Sequence, residues 1–179
     1  GLGGDIDDVV AADRRNPNYS DIGYVINMIK VQRPVVKNIR FTGHASLTVA
    51  DLGCLSMRVR HCEFDDQGKI DNISSAIYAQ SYGNPLSPLA WYQDTEDHIT
   101  EHCTFSCKRS AITLNPTKGG GFRFNNVYNS GESTVFSSSL ANYNGGSIHV
   151  HGNTFGPTVL TDIVAFHVEN NGAQNYHVY

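Results

Sequence analysis

The chain is poor in charge, and the charge it has is not gathered by sign. Asp, Glu, Lys and Arg make up 17% of its 179 residues, against about 25% in an average globular domain. The net charge is −4 and no basic stripe exists, which argues against nucleic acid as a partner. No apolar run approaches the ~20 residues of a membrane-crossing helix, so no membrane partner is expected. No segment carries a sustained helical stripe. The best candidate, Val9-Val-Ala-Ala-Asp-Arg-Arg15, is short and stands apart from the pattern below. The four cysteines include no Cys-x-x-Cys pair, which weakens a zinc reading. Gly-x-Ser-x-Gly, P-loop and His-Glu-x-x-His motifs are all missing. Neither a metal nor a cofactor is expected. No signal peptide stands at the start. The opening Gly1-Leu-Gly-Gly-Asp5 and the closing Asn175-Tyr-His-Val-Tyr179 read as cut points in a longer protein.

What the chain does hold is turn and strand chemistry. Gly, Ser, Thr and Asn replace the missing charge, which suits many short strands joined by many turns. Hydrophobic residues still reach 40%, enough for a core. One hexapeptide pattern recurs: Val36-Lys-Asn-Ile-Arg-Phe41, Val59-Arg-His-Cys-Glu-Phe64, Thr100-Glu-His-Cys-Thr-Phe105 and Val150-His-Gly-Asn-Thr-Phe155. A looser copy is Phe124-Asn-Asn-Val-Tyr-Asn129. The starts are separated by 23, 41, 24 and 26 residues. A second pattern alternates with the first: Ala45-Ser-Leu-Thr-Val-Ala50, Ser75-Ala-Ile-Tyr-Ala-Gln80, Ser110-Ala-Ile-Thr-Leu-Asn115, Ser133-Thr-Val-Phe-Ser-Ser138 and Asp162-Ile-Val-Ala-Phe-His167. The long interval follows from residues 81–97, an insertion between one copy of each.

Within the first pattern the first, fourth and sixth positions are mostly apolar. Strict strand alternation would not put the first and fourth on one side. A bend at the third position, held by Asn38, His61, His102, Asn126 and Gly152, resolves this, since Asn and Gly tolerate left-handed backbone. The second position points outward as Lys37, Arg60, Glu101, Asn125 and His151. A single turn of this kind cannot bury its apolar face. Stacking such turns at the ~4.8 Å strand spacing would place Val36, Val59, Thr100 and Val150 in one file, and Ile39, Cys62, Cys103 and Val127 in one inward ladder. The expected fold is therefore all-β, a parallel β-helix of about five to six coils over residues 36–179. Residues 1–35 are read as a lead-in, a cap or an incomplete first coil. An antiparallel sandwich is the rival. Cys62 and Cys103 fall at equivalent inward positions, where free buried thiols are preferred to a disulfide.

The Val-x-Asn/His-Ile/Cys-x-Phe and Ser-Ala-Ile-x-Leu rows resemble the pectate-lyase-like superfamily of right-handed β-helices. The irregular coils and the aromatic insertion resemble, within it, a bacteriophage tailspike or capsule depolymerase. That resemblance covers about residues 36–168. It implies a right-handed helix, a homotrimer, a place on a virion tail or otherwise secretion, and a bacterial surface polysaccharide (capsule or O-antigen) as partner. It implies degradation by a glycosidase or lyase as the first activity to consider. A non-catalytic shaft or receptor-binding adhesin is the alternative, and a secreted polysaccharide lyase or epimerase the second.

The insertion carries the aromatic and acidic groups that such a function would use. Trp91 and Tyr92 could stack on sugar faces or simply plug the loop onto the core. Asp94 and Glu96, on an extended segment, would share a face about 6.6 Å apart, within the ~6.5–9.5 Å of an inverting pair. A solvated loop edge is the plain alternative. Lys118 and Tyr143, from the connections above, and Asp51, from the connection below, are expected at the same corner. Lys118 would neutralise an acidic sugar. Glu101 is a third candidate acid on a rigid strand, although an ion pair with Arg60 explains it, as one with Glu63 explains Arg40. The charges at the opposite corner (Asp65, Asp66, Lys69, Lys108, Arg109, Glu132) are read as a solvated rim. His61 and His102 are read as a stacked structural pair.

Overall fold

The computed structural model describes residues 24–43, 47–67, 75–81, 94–107, 110–114, 117–129, 133–139, 144–156, 164–170 and 173–179. Among these there is no helix; the fold is all-β with three parallel sheets. The first sheet contains β1 (Tyr24–Ile29), β4 (Leu47–Leu52), β7 (Ser75–Gln80), β10 (Ser110–Leu114), β13 (Ser133–Ser139) and β16 (Val164–Asn170), in that order. The second contains β2 (Val35–Lys37), β5 (Arg58–Arg60), β8 (Glu96–Glu101), β11 (Lys118–Arg123), β14 (Asn144–His151) and β17 (Ala173–Val178). The third contains β3 (Arg40–Thr42), β6 (Glu63–Gln67), β9 (Thr104–Cys107), β12 (Asn126–Asn129) and β15 (Thr154–Phe155). The chain visits the three sheets in strict rotation, so each circuit adds one strand to each sheet. This is the arrangement of a parallel solenoid, in which every circuit covers the edge of its neighbour.

The register supplies the expected file. Val36 pairs with Val59, Val59 with Thr100, Thr100 with Phe122 and Phe122 with Val150. Phe41, Phe64, Phe105, Val127 and Phe155 form a second file in the third sheet. Its phenyl rings stack with centroids 5.0 Å apart for Phe41–Phe64 and 4.8 Å for Phe64–Phe105. Val49, Ile77, Ile112 and Val135 form the third file, in the first sheet. These three files converge on one core, in which most of their members are fully buried.

Each hexapeptide is two strands rather than one bent strand. The bend at its third position separates the second sheet from the third. Asn38, His61 and His102 there have φ of 58°, 52° and 54°, and Gly152 has 63°. The fourth copy differs from the expected frame. Its bend residue is Phe124, with φ 55°, not Asn126; the copy runs Phe122-Arg-Phe-Asn-Asn-Val127, two residues earlier. Left-handed backbone is unusual for a bulky side chain. The next circuit makes room for it: a Cβ on Gly152 would lie 2.5 Å from the Phe124 ring. The shift moves Asn125 from the outward row to full burial and puts Arg123 in its place. It also moves Val127 out of the cysteine ladder and into the phenylalanine file. Ile39, expected inward, is 39% exposed, because β3 is the terminal strand of its sheet and stacks on one side only.

Inside the corner the ladder is Cys62, Cys103, Asn125 and Asn153. The two asparagines satisfy the bent backbone. Asn125 accepts from Cys103 N at 2.9 Å and donates to Thr100 O at 3.1 Å. Asn153 accepts from Asn125 N at 2.9 Å and donates to Phe122 O at 2.8 Å. All four cysteines are buried and free. The neighbouring Cys62 thiol and burial hold Cys103 well above the usual thiol range.

Candidate functional site

The turn from the first sheet to the second carries the acidic candidates and a buried polar centre. Asp51, expected in the connection below the insertion, lies instead within β4 and is 0% exposed. Its Oδ2 lies 2.7 Å from His98 Nδ1, and its Oδ1 accepts from Cys54 N at 3.0 Å. Against a carboxylate the imidazole donates from Nδ1, which leaves Nε2 facing Thr100 Oγ1 at 3.0 Å. Thr95, also buried, donates to Gln80 O at 2.6 Å and accepts from Gly53 N at 2.8 Å. The order hydroxyl–imidazole–carboxylate is the one that activates a nucleophile. Here His98, Thr100 and Asp51 are all fully buried, so no substrate reaches the hydroxyl, and the network ties circuits together. Burial and the Asp51 carboxylate push the Cys54 thiol up to about 12.

Asp94, Glu96 and Lys118 do come together at the outer lip of this turn. Lys118 opens β11 directly over Glu96, which opens β8. Lys118 Nζ lies 2.5 Å from Asp94 Oδ2 and 3.8 Å from Glu96 Oε1. Asp94, followed by the charge of Glu96, raises the Lys118 pKa above its ordinary value. One ammonium thus bridges the two candidate acids. Trp91, Tyr92 and Tyr143 lie outside the described residues, as do Lys69, Lys108, Arg109 and Glu132.

Glu101 lies farther along the outer face of the second sheet. Its partner is Arg123, on the circuit above, rather than the expected Arg60. Arg123 grips Glu101 Oε2 through Nε at 2.9 Å and Nη2 at 2.8 Å. Arg58 is held by Asp97, Nη2 to Oδ2 at 2.6 Å. At the opposite corner Arg40 reaches both Glu63, at 3.3 Å, and Asp65, at 3.0 Å.

The bend between the second and third sheets presents a file of rings to water. His61 stacks on His102 with centroids 5.3 Å apart, and His102 on Phe124 at 5.5 Å. Phe124 meets His151 edge-on at 5.0 Å, and His151 stacks on Tyr179 at 5.1 Å. Phe124 is 47% exposed. Two residues earlier on the same outer face, His149 stacks on His177 at 4.7 Å. The two-histidine step was legible in the repeat; its extension through Phe124 was not, because that residue was read one frame away. Among the described residues no group of three or more His, Cys, Asp or Glu side chains could hold a metal.

The chain matches no protein-family profile, no curated protein and no solved structure.

Proposed function

We propose that the chain is a right-handed β-helix segment of five to six coils that binds a bacterial surface polysaccharide along the outer face of its second sheet and the adjoining bend. The observation that carries this is the exposed file His61–His102–Phe124 with His151 and Tyr179, one ring per circuit. Imidazole edges supply donors and acceptors for hydroxyls, and exposed aromatic surface suits the apolar faces of sugars. A regular file suits a linear polymer lying along the stack. By the resemblance stated above, the assembly is a homotrimer on a virion tail.

Binding without cleavage is the better supported form. Each candidate acid is held by a cation: Asp94 and Glu96 by Lys118, Glu101 by Arg123. A catalytic carboxyl must meet the glycosidic oxygen or its attacking water, and here the cation occupies that position. The second reading, a depolymerase, draws on the convergence of Asp94 and Glu96 on one ammonium, an arrangement that bound substrate could open.

Both forms are tested by incubating the protein with capsular polysaccharide and lipopolysaccharide, while following retention of the polymer, release of reducing ends and formation of unsaturated products. Retention with no new ends is expected. Release of ends that Glu96→Gln abolishes would establish the depolymerase instead. Absence of retention for all polymers offered, together with unchanged behaviour of His102→Ala and Phe124→Ala, would remove the glycan reading.

A further inference from the structure

The cations of the second sheet's outer face are not equally neutralised. Arg58 has Asp97, Arg123 has Glu101, and Lys118 has Asp94 and Glu96. Lys37 and Arg60 form no ion pair with any of these acids. They are register partners on adjacent parallel strands, and both stand in the outward row that continues to Glu101 and Arg123. Like charges directly opposite each other destabilise a sheet. Glu101, the acid adjacent to Arg60, is turned to the other side and committed to Arg123 through two donors. Arg60 Nε is also buried without a hydrogen-bond partner, a defect that native structures seldom leave unexplained. Arg60 as a whole is only half-buried, and its Nη groups are not engaged by Glu101. Lys37, one strand away, is exposed. An unrelieved cation pair on the surface of a protein with net charge −4 is a local feature, not part of a general positive field.

We infer that Lys37 and Arg60 together bind one anionic group, a carboxylate or phosphate, on the ligand of this face. The step deepens the glycan reading, because it assigns that ligand to the acidic class, and it rests on that reading for the identity of the polymer. The planar guanidinium offers paired donors, and the ammonium a point charge, across a gap of about one strand spacing, ~4.8 Å. An oxyanion seated between them removes the repulsion and gains charge-assisted hydrogen bonds from both. The neighbouring Arg58 and Arg123 cannot substitute without giving up their own carboxylates.

The test uses the full chain at low salt, with glucuronate, glucose and inorganic phosphate as probes. Binding is read by titration calorimetry and by the Nε–H resonances of the arginines. Glucuronate is expected to bind saturably and to move the Arg60 signal while leaving those of Arg58 and Arg123 in place; glucose is expected to do neither. Lys37→Ala, at an exposed position that leaves the core untouched, and Arg60→Gln should each weaken binding about tenfold or more. Phosphate binding as well as glucuronate marks a site for oxyanions in general; glucuronate alone marks a site for acidic sugars; both support the inference. Arg33→Ala removes one exposed charge from the turn before β2 and should change nothing. The inference is overturned if no probe moves Arg60, or if Arg33→Ala weakens binding as much as Lys37→Ala does. Retention of a neutral polysaccharide with the Lys37 and Arg60 variants unaffected would overturn it while leaving the glycan reading intact.

Discussion

The first and second sheets are built by the same circuits, and they treat their outer faces in opposite ways. In the first sheet β4 and β10 are buried on both alternations. Val49, Ile77 and Ile112 fill the core, and Thr48, Ala50, Ala76, Ala111 and Thr113, which alternate with them, are 4% exposed or less. Tyr78, the register partner of Ala50 and Thr113 in β7, is larger and reaches water in part. In the second sheet only the inward set is buried. Lys37, Arg58, Arg60, Glu101, Arg123, His149 and His151 all reach water. A strand buried on both sides can carry packing and nothing else. Charged and ring side chains stand exposed on the second sheet and the bend beside it, where they can vary without cost to the core.

The contrast can be broken most severely from inside. Phe105 is fully buried between Phe64 and Phe122, so Phe105→Ala should cost about 3–5 kcal/mol in urea-unfolding experiments. Phe124→Ala, on the exposed bend, should cost less than about 1.5 kcal/mol, the most that an aromatic pair usually adds beyond its buried area. Equal losses would erase the distinction between interior and outer files. Asp51→Ala comes next. It strands the buried His98 imidazole and Cys54 N–H, and about 3 kcal/mol is expected. A variant as stable as the parent would show that the network is not a tie between circuits.

The last effect is a pH dependence, absent at neutral pH. The folded state raises the Cys54 thiol from 9.0 to about 12, so the folded chain holds that proton more tightly than the unfolded one. The resulting stability is complete below pH 9 and is lost as pH climbs from 9 towards 12. Urea midpoints measured at successive pH values should fall over that window, and Cys54→Ala should flatten the fall. An unchanged slope in the variant would assign the decline to other groups.

Much of the architecture was readable because a parallel stack repeats its demands. A position that is inward in one circuit is inward in the next, so Val36, Val59, Thr100 and Val150 announced their file by type and spacing. The left-handed bends at Asn38, His61, His102 and Gly152, and the pairing of Arg40 with Glu63, followed from the same repetition. The fourth copy failed for a physical reason. Phe124 has the apolar character of a file residue, yet it occupies a bend whose tolerance is set by Gly152 in the following circuit. Asn125 likewise has the polarity of a surface residue but is buried, because Asn153 and two backbone groups satisfy it. Single-position chemistry does not reveal such compensation one circuit away. His98 and Asp51 were illegible as a pair for the same cause: their contact depends on the closing of a turn between sheets. Glu101 had two cations within reach, and sequence could not decide which strand neighbour would win.

The circuit that joins Val59 to Thr100 is the longest, yet its strands meet their neighbours in the same order as every other. Length between β7 and β8 is thus decoupled from the geometry of the stack. That junction behaves as a port, where new peptide can be spliced in or trimmed while the scaffold on either side keeps its pitch. Changes of length can proceed there without renegotiating the fold.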